Sequence, residues 1–243
     1  MHLSDFRVLS FDCYGTLIDW EAGLLEALRP LTLRAGVELT PDDQLARFGA
    51  HEVVLENENP TLHYSGILAQ VYERLATEWG ESIDAMERDR FAGSVPAWRP
   101  FPDTVEALRY LEQHYTLAIL SNVDHESFAG SAAQLEIHFD YVFTAEDIGS
   151  YKPSMRNFEH LIRELRTAGY TKNQILHTAQ SLFHDHVPAN RAGLASAWIN
   201  RRSGKDRSGA TPLPYPLPHF DFEFRSLEAM ADAHRADRGL PHG

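Results

Sequence analysis

Residues 7–17 read RVLSFDCYGTL, and this stretch decides the fold. A short apolar run, broken at Tyr14-Gly15-Thr16, predicts a buried strand over 7–13 that ends in a turn. Four runs of similar character follow: TLAILS at 116–121, YVFTA at 141–145, ILHTA at 175–179 and ASAWIN at 195–200. Helical patterns lie between them. Asp103 is a plausible N-cap for a helix over 104–113, with Glu106 three residues on completing a capping-box pattern. The segment 154–168 repeats Phe158, Leu161, Ile162 and Leu165 at helical spacing and closes at Gly169. Strands alternating with helices predict an α/β fold of Rossmann-like type, a doubly wound parallel sheet covered on both faces.

The first two strands are separated by on the order of a hundred residues, too many for an ordinary crossover. That stretch reads as helices over 20–35, 41–56, 64–78 and 83–93. The expected organisation is an α/β core over 1–18 and 99–225, a helical cap domain inserted at 19–98, and a C-terminal helix or tail at 226–243. Residues 201–218, RRSGKDRSGATPLPYPLP, are turn-rich and then proline-rich, which suits a surface loop. Residues 220–224 supply a last short strand.

Of the 243 residues, 43% are hydrophobic and 23% charged, an ordinary globular balance. The net charge of -13 disfavours nucleic acid and acidic membrane surfaces as partners, since both need clustered Lys and Arg. The single cysteine, Cys13, excludes an internal disulfide and fits a reducing, cytoplasmic setting. No basic leader followed by an apolar stretch opens the sequence, and no run of about 18 apolar residues suggests a membrane span. The 13 histidines lack HExxH or HxxxH spacing, and most read as polar residues near loops; His184 and His186 flank Asp185 and in a strand would share one face.

In parallel α/β sheets the ligand sits beyond the carboxyl ends of the strands. The polar residues expected there are Asp12, then Ser121 and Asn122, then Lys152, then 180–185. Each has a structural reading alone, as a turn cap or a solvated lysine. Four in register point to a site. Phe11-Asp12-Cys13-Tyr14-Gly15-Thr16-Leu17 resembles the first motif of the haloacid dehalogenase superfamily, DxxGTL. Ser121-Asn122 is similar to its second motif, and Lys152-Pro153 with Phe158 to its third. The order of motifs and the insert after the first extend the resemblance over nearly the whole chain.

The phosphatases of that superfamily carry a second aspartate where this chain has Tyr14. Their fourth motif, GDxxxxD, aligns here with residues 179–185, so that Gln180 replaces the first acid and only Asp185 remains. A hard divalent cation wants several oxygen ligands, preferably charged. The resemblance therefore favours the metal-independent L-2-haloacid dehalogenases, with no cofactor and a small anionic 2-haloacid as partner. It implies that Asp12 displaces halide to form an ester, with Lys152 keeping Asp12 ionised. It gives Asp185 the role of activating the water that hydrolyses that ester. It further implies that Ser121 and the backbone around Tyr14, Gly15 and Thr16 hold the substrate carboxylate, that Asn122 binds halide, and that the protein is a homodimer. Gln180, Ser181 and Leu182 stand where those dehalogenases have Ser-Ser-Asn, and Phe158 stands for an active-site tyrosine. Arg47 is the candidate for their cap-borne arginine, with a solvated helix residue as the alternative. Two rival readings stay open: a phosphatase with a rebuilt metal site, and a non-catalytic binding protein of the same fold.

Overall fold

The computed structural model describes residues 1–204 and 210–239. Residues 205–209 of the expected loop and 240–243 of the expected tail lie outside the described residues. Six strands form one parallel sheet in the order β3-β2-β1-β4-β5-β6. They are β1 (Val8–Phe11), β2 (Thr116–Ser121), β3 (Tyr141–Thr144), β4 (Ile175–Ala179), β5 (Ala195–Ile199) and β6 (Phe222–Phe224). Strand β1 runs between β2 and β4, with Phe11 opposite Ile119 and Thr178. Its side chains alternate. Leu9 and Phe11 join the larger core, while Val8 joins a second core with Phe158, Leu161 and Leu165. Burial on both faces explains why the central strands read as unbroken apolar runs.

Between β1 and β2 lie α1 (Trp20–Ala35), α2 (Pro41–Glu58), α3 (Tyr64–Glu78) and α4 (Ala85–Ala92). Thr40 caps α2, accepting from Asp43 N–H, and Pro41 takes the first helical position, where its missing donor costs nothing. Helix α5 (Thr104–Leu111) leads into β2 and α6 (His125–Leu135) leaves it. Helix α7 (Ala145–Ile148) follows β3, and α8 (Met155–Thr167) covers the sheet ahead of β4. A π-helical turn at Leu182–His186 then runs into α9 (Val187–Ala192), and α10 (Leu227–Asp237) closes the described chain.

Two local expectations change. Asp103 precedes α5 but makes no side-chain cap bond there. Its carboxylate instead accepts from Arg201, at 2.6 Å, and from Leu227 N–H, at 2.7 Å, so it ties the end of β5 to the start of α10. Residues 182–186 form a helical turn rather than an extended segment. His184 and His186 therefore do not share a strand face. Both are drawn inward, where burial lowers each pKa to about 4 and keeps the imidazoles neutral.

Candidate active site

Strand β1 stops one residue before Asp12, and the turn beyond it sets the carboxylate at the carboxyl edge of the sheet. Asp12 N–H donates to Thr178 O at 3.1 Å, which anchors the turn to β4. Gly15 has φ +91°, and a Cβ there would meet the Trp20 indole nitrogen at 3.0 Å and Gln180 Oε1 at 3.2 Å. Glycine thus allows both the left-handed turn and the close approach. Thr16 Oγ1 donates to Asp12 Oδ2 at 2.8 Å and accepts from Gln180 N–H at 2.9 Å.

Lys152, 2% exposed, reaches this edge from the loop after α7. Its Nζ donates to Asp12 Oδ1 at 2.9 Å, Asp185 Oδ1 at 2.7 Å and Leu120 O at 2.9 Å. These bonds use all three of its donors. Burial alone would lower the Lys152 pKa, but Asp12 and Asp185 outweigh it and raise it. Burial likewise pushes Asp185 up, yet Lys152 and His177 hold it well below the usual carboxylate range. Asp12 differs. Burial raises its pKa, Asp185 adds to the rise, and Lys152 and Thr16 counter only part of it.

His177 is the participant that sequence reading missed. It lies within β4, opposite Ser10 in register. Its Nδ1 pairs with Ser10 Oγ at 2.9 Å and its Nε2 with Asp185 Oδ1, also at 2.9 Å. The signal was a histidine inside an apolar strand, where a buried polar group needs partners.

These groups open on a cavity of about 60 Å³. Asp12, Tyr14, Ser121, Asn122, Lys152, Ser181 and Asp185 line it, so the structure brings most of the expected residues together. Three buried polar atoms of lining residues have no hydrogen-bond partner: Ser121 Oγ, His184 Nε2 and Asp185 Oδ2. Asn122 is largely engaged, since its Oδ1 accepts from Lys152 N–H at 2.6 Å and its Nδ2 donates to Lys152 O at 3.1 Å. Gly15 N–H is spent on Ile18 O, whereas Ser121 Oγ is a hydroxyl of the cavity wall without a partner.

Three expected residues stand elsewhere. Arg47 pairs with Glu78 of α3 and is half-exposed. Phe158 is fully buried in the second core with its ring edge-on to His177, because its helical spacing reflects packing against the sheet. The Gln180 side chain turns to Gly15 and lines a neighbouring pocket with Arg201 and Arg202. Cys13 is buried in the larger core, as strand alternation requires.

The far wall comes from α2 and α3. Glu52 and Glu56, 7% and 6% exposed, line the cavity with Trp20 and Tyr64. Tyr64 donates to Glu52 Oε1 at 2.7 Å, and Asn122 Nδ2 to Glu56 Oε1 at 3.3 Å. Burial raises Glu52 to about 7, and burial together with Glu52's charge pushes Glu56 well up. A carboxyl raised in this way contributes stability that is complete below its unfolded pKa and lost as pH rises through its folded value. The gap from 4.5 to about 7, at ~1.4 kcal/mol per pH unit, sets an upper scale of roughly 3–4 kcal/mol. Glu52→Gln is therefore expected to raise the melting temperature at pH 8, with the gain shrinking as pH falls from 7 to 4.5. A gain that instead grows toward acid pH would show that Glu52 is ionised in the fold.

A divalent cation does not fit this arrangement. The Lys152 ammonium occupies the space between Asp12 and Asp185, Gln180 faces away, and among the described residues no group of three or more His, Cys, Asp or Glu could hold a metal. Also among the described residues, no helix is long and apolar enough to cross a membrane.

Residues 6–177 match the family model of the haloacid dehalogenase-like hydrolases. The chain is 30% identical to an (S)-2-haloacid dehalogenase of Pseudomonas fluorescens over 131 residues, which cover 53% of this chain and only 56% of that protein. It is 24% identical to the pyrimidine 5'-nucleotidase PynA of Streptococcus pneumoniae, over 85% of this chain and 89% of that one. Its fold is similar to that of the L-2-haloacid dehalogenase from Xanthobacter autotrophicus, with a TM-score of 0.77, 18% identity and coverage of 97% and 100%. The chain belongs to the haloacid dehalogenase-like hydrolase family.

Proposed function

We propose that this hydrolase cleaves the carbon–halogen bond of short (S)-2-haloacids through an ester on Asp12, giving (R)-2-hydroxyacids. The observation that carries this reading is the Lys152 ammonium held between Asp12 Oδ1 and Asp185 Oδ1, at 2.9 and 2.7 Å. It fixes a positive charge between the two carboxylates and orients Asp12 for attack. Tyr14 supports the same reading. Its hydroxyl bonds Ser131 Oγ at 2.9 Å, and burial raises its pKa well above the ordinary phenol range. It is no substitute for a carboxylic acid that protonates a phosphate leaving group.

In the first step an Asp12 oxygen bonds to C2 of the substrate as the C–X bond breaks, and halide departs with the electron pair. C2 inverts. In the second step water attacks the acyl carbon of the Asp12 ester and gives its proton to Asp185 Oδ2, the unpartnered oxygen. Collapse expels the 2-hydroxyacid oxygen, which takes up that proton; Asp12 is left as the acid and returns to the carboxylate when the second water proton passes to solvent. Ser121 Oγ is available to hold the substrate carboxylate during both steps.

The test is halide release from the two enantiomers of 2-chloropropionate, with EDTA present throughout. Release from the L enantiomer alone is the expected result. No release from either, with magnesium-dependent cleavage of p-nitrophenyl phosphate, would replace this reading by a phosphatase closer to the matched nucleotidase.

A further inference from the structure

The far wall of the cavity is poorly suited to a plain 2-haloacid. Four carboxyls line the space, those of Asp12, Asp185, Glu52 and Glu56, against the single ammonium of Lys152. His184 adds no charge at neutral pH, because burial holds it neutral. Lys152 is saturated by Asp12, Asp185 and Leu120. Among the described residues, neither Glu52 nor Glu56 has a cation within ion-pair distance. A substrate whose C2 substituent is hydrogen or methyl would be served by an apolar wall, and burying two carboxyls there without a cation is costly.

Their placement follows from α2. The buried positions of that helix are Leu45, Phe48, Gly49, Glu52, Leu55 and Glu56, a continuous inward stripe at helical spacing. The two acids therefore occupy core-facing positions rather than a solvated face. Tyr64 and Asn122 each give one hydrogen bond and fix the carboxyls in place. Independent evidence that the space is built for a ligand comes from the opposite wall. Ser121 Oγ, His184 Nε2 and Asp185 Oδ2 are all buried without partners there, and such atoms are rare unless something fills the site.

The geometry points to Glu52 and Glu56 as the specificity-determining wall of the site, binding an ammonium group carried on the C2 substituent of a short 2-haloacid. This rests on the reading of Asp12 chemistry given above and names its substrate class. The substrate carboxylate lies toward Ser121 and the halogenated carbon at Asp12. The ammonium, one or two carbons further, meets the two glutamates and supplies the cation that lets these buried carboxyls ionise.

Chloride release is compared for L-2-chloropropionate and the matching enantiomer of 3-amino-2-chloropropionate, with the enzyme-free rate subtracted, in wild type, Glu52→Gln and Glu56→Gln. The expected kcat/KM is at least tenfold higher for the amino compound in wild type, and each substitution lowers that ratio at least tenfold. The wild-type ratio needs no variant, and melting curves check that both variants fold. Equal or better turnover of chloropropionate by wild type, or a ratio unmoved in both variants, overturns the assignment while the dehalogenase reading stands. If neither compound releases chloride, the dehalogenase reading fails and calorimetry decides the assignment. Binding of n-propylammonium that weakens at least tenfold in Glu56→Gln supports it. Binding of propionate but not of n-propylammonium overturns it.

Discussion

Asp12→Asn is expected to reduce halide release by at least about a thousandfold, the usual scale for removing a covalent nucleophile, while the protein folds normally. The substitution is isosteric. Asparagine can still accept through Oδ1 from the Lys152 ammonium, at the 2.9 Å position that the carboxylate now uses. What it cannot do is supply an anionic oxygen to C2. On the proposed mechanism the effect falls on kcat, since that reading gives the substrate carboxylate to Ser121 rather than to Asp12. Asp12 is also a carboxyl that burial has raised above its ordinary pKa, so the fold bears a cost for ionising it. That sign makes a second readout. The melting temperature of the variant should equal or exceed that of wild type at pH 8, where the cost is largest, and the difference should close as pH falls and Asp12 protonates. Intact mass must exclude deamidation, which would restore aspartate. Wild-type turnover in a sample verified this way would remove Asp12 from the mechanism.

The sheet was legible because its chemistry is one-dimensional. Strands buried on both faces must be apolar throughout, and β1, β2, β4 and β5 appear in the sequence as such runs within a residue or two of their bounds. Helix α6 was not legible. Its sequence, HESFAGSAAQL, has small residues and a weak apolar stripe, and only Asp124, whose side chain accepts from Ser127 N–H, marks its start. Asp12, Ser121, Lys152 and Asp185 could be read because the carboxyl end of the sheet is a defined place, and each stands at a strand end or in the connection beyond one.

The far wall could not be placed the same way. Glu52 and Glu56 fall four apart in HEVVLENE, a spacing that reads as the solvated face of an amphipathic helix. The missed signal was their phase: both continue the stripe of Leu45, Phe48 and Leu55, so an acid stands where a core residue belongs. The same phase argument corrects Arg47. Five residues before Glu52, at 100° per residue, it points about 140° away around the helix, and it meets Glu78 rather than the cavity. His177 needed the sheet register, because only the pairing of β1 with β4 sets it against Ser10.

Lys152→Met carries the largest expected effect on stability. The methionine keeps the length of the side chain and removes the charge. Lys152, Asp12 and Asp185 are all within 9% of full burial as side chains, so two carboxylates would be left facing each other without a cation. Deleting one partner of a buried ion pair costs about 3–5 kcal/mol, several times the cost at an exposed pair such as Arg74–Glu58. The pH dependence distinguishes this cause from lost packing. In wild type Asp185 is held far below its usual value by Lys152 and His177, against burial, so its stabilising contribution persists to strongly acid pH. Without Lys152, burial dominates and both carboxyls rise. Their cost is then largest at neutral and alkaline pH and is relieved by protonation as the pH falls. Urea denaturation at pH 8 and pH 5 should accordingly give a large deficit for Lys152→Met at pH 8 and a smaller one at pH 5. A deficit equal at both pH values would mean that the lysine contributes by filling space, and that the charge it places between Asp12 and Asp185 is not what holds this edge of the sheet together.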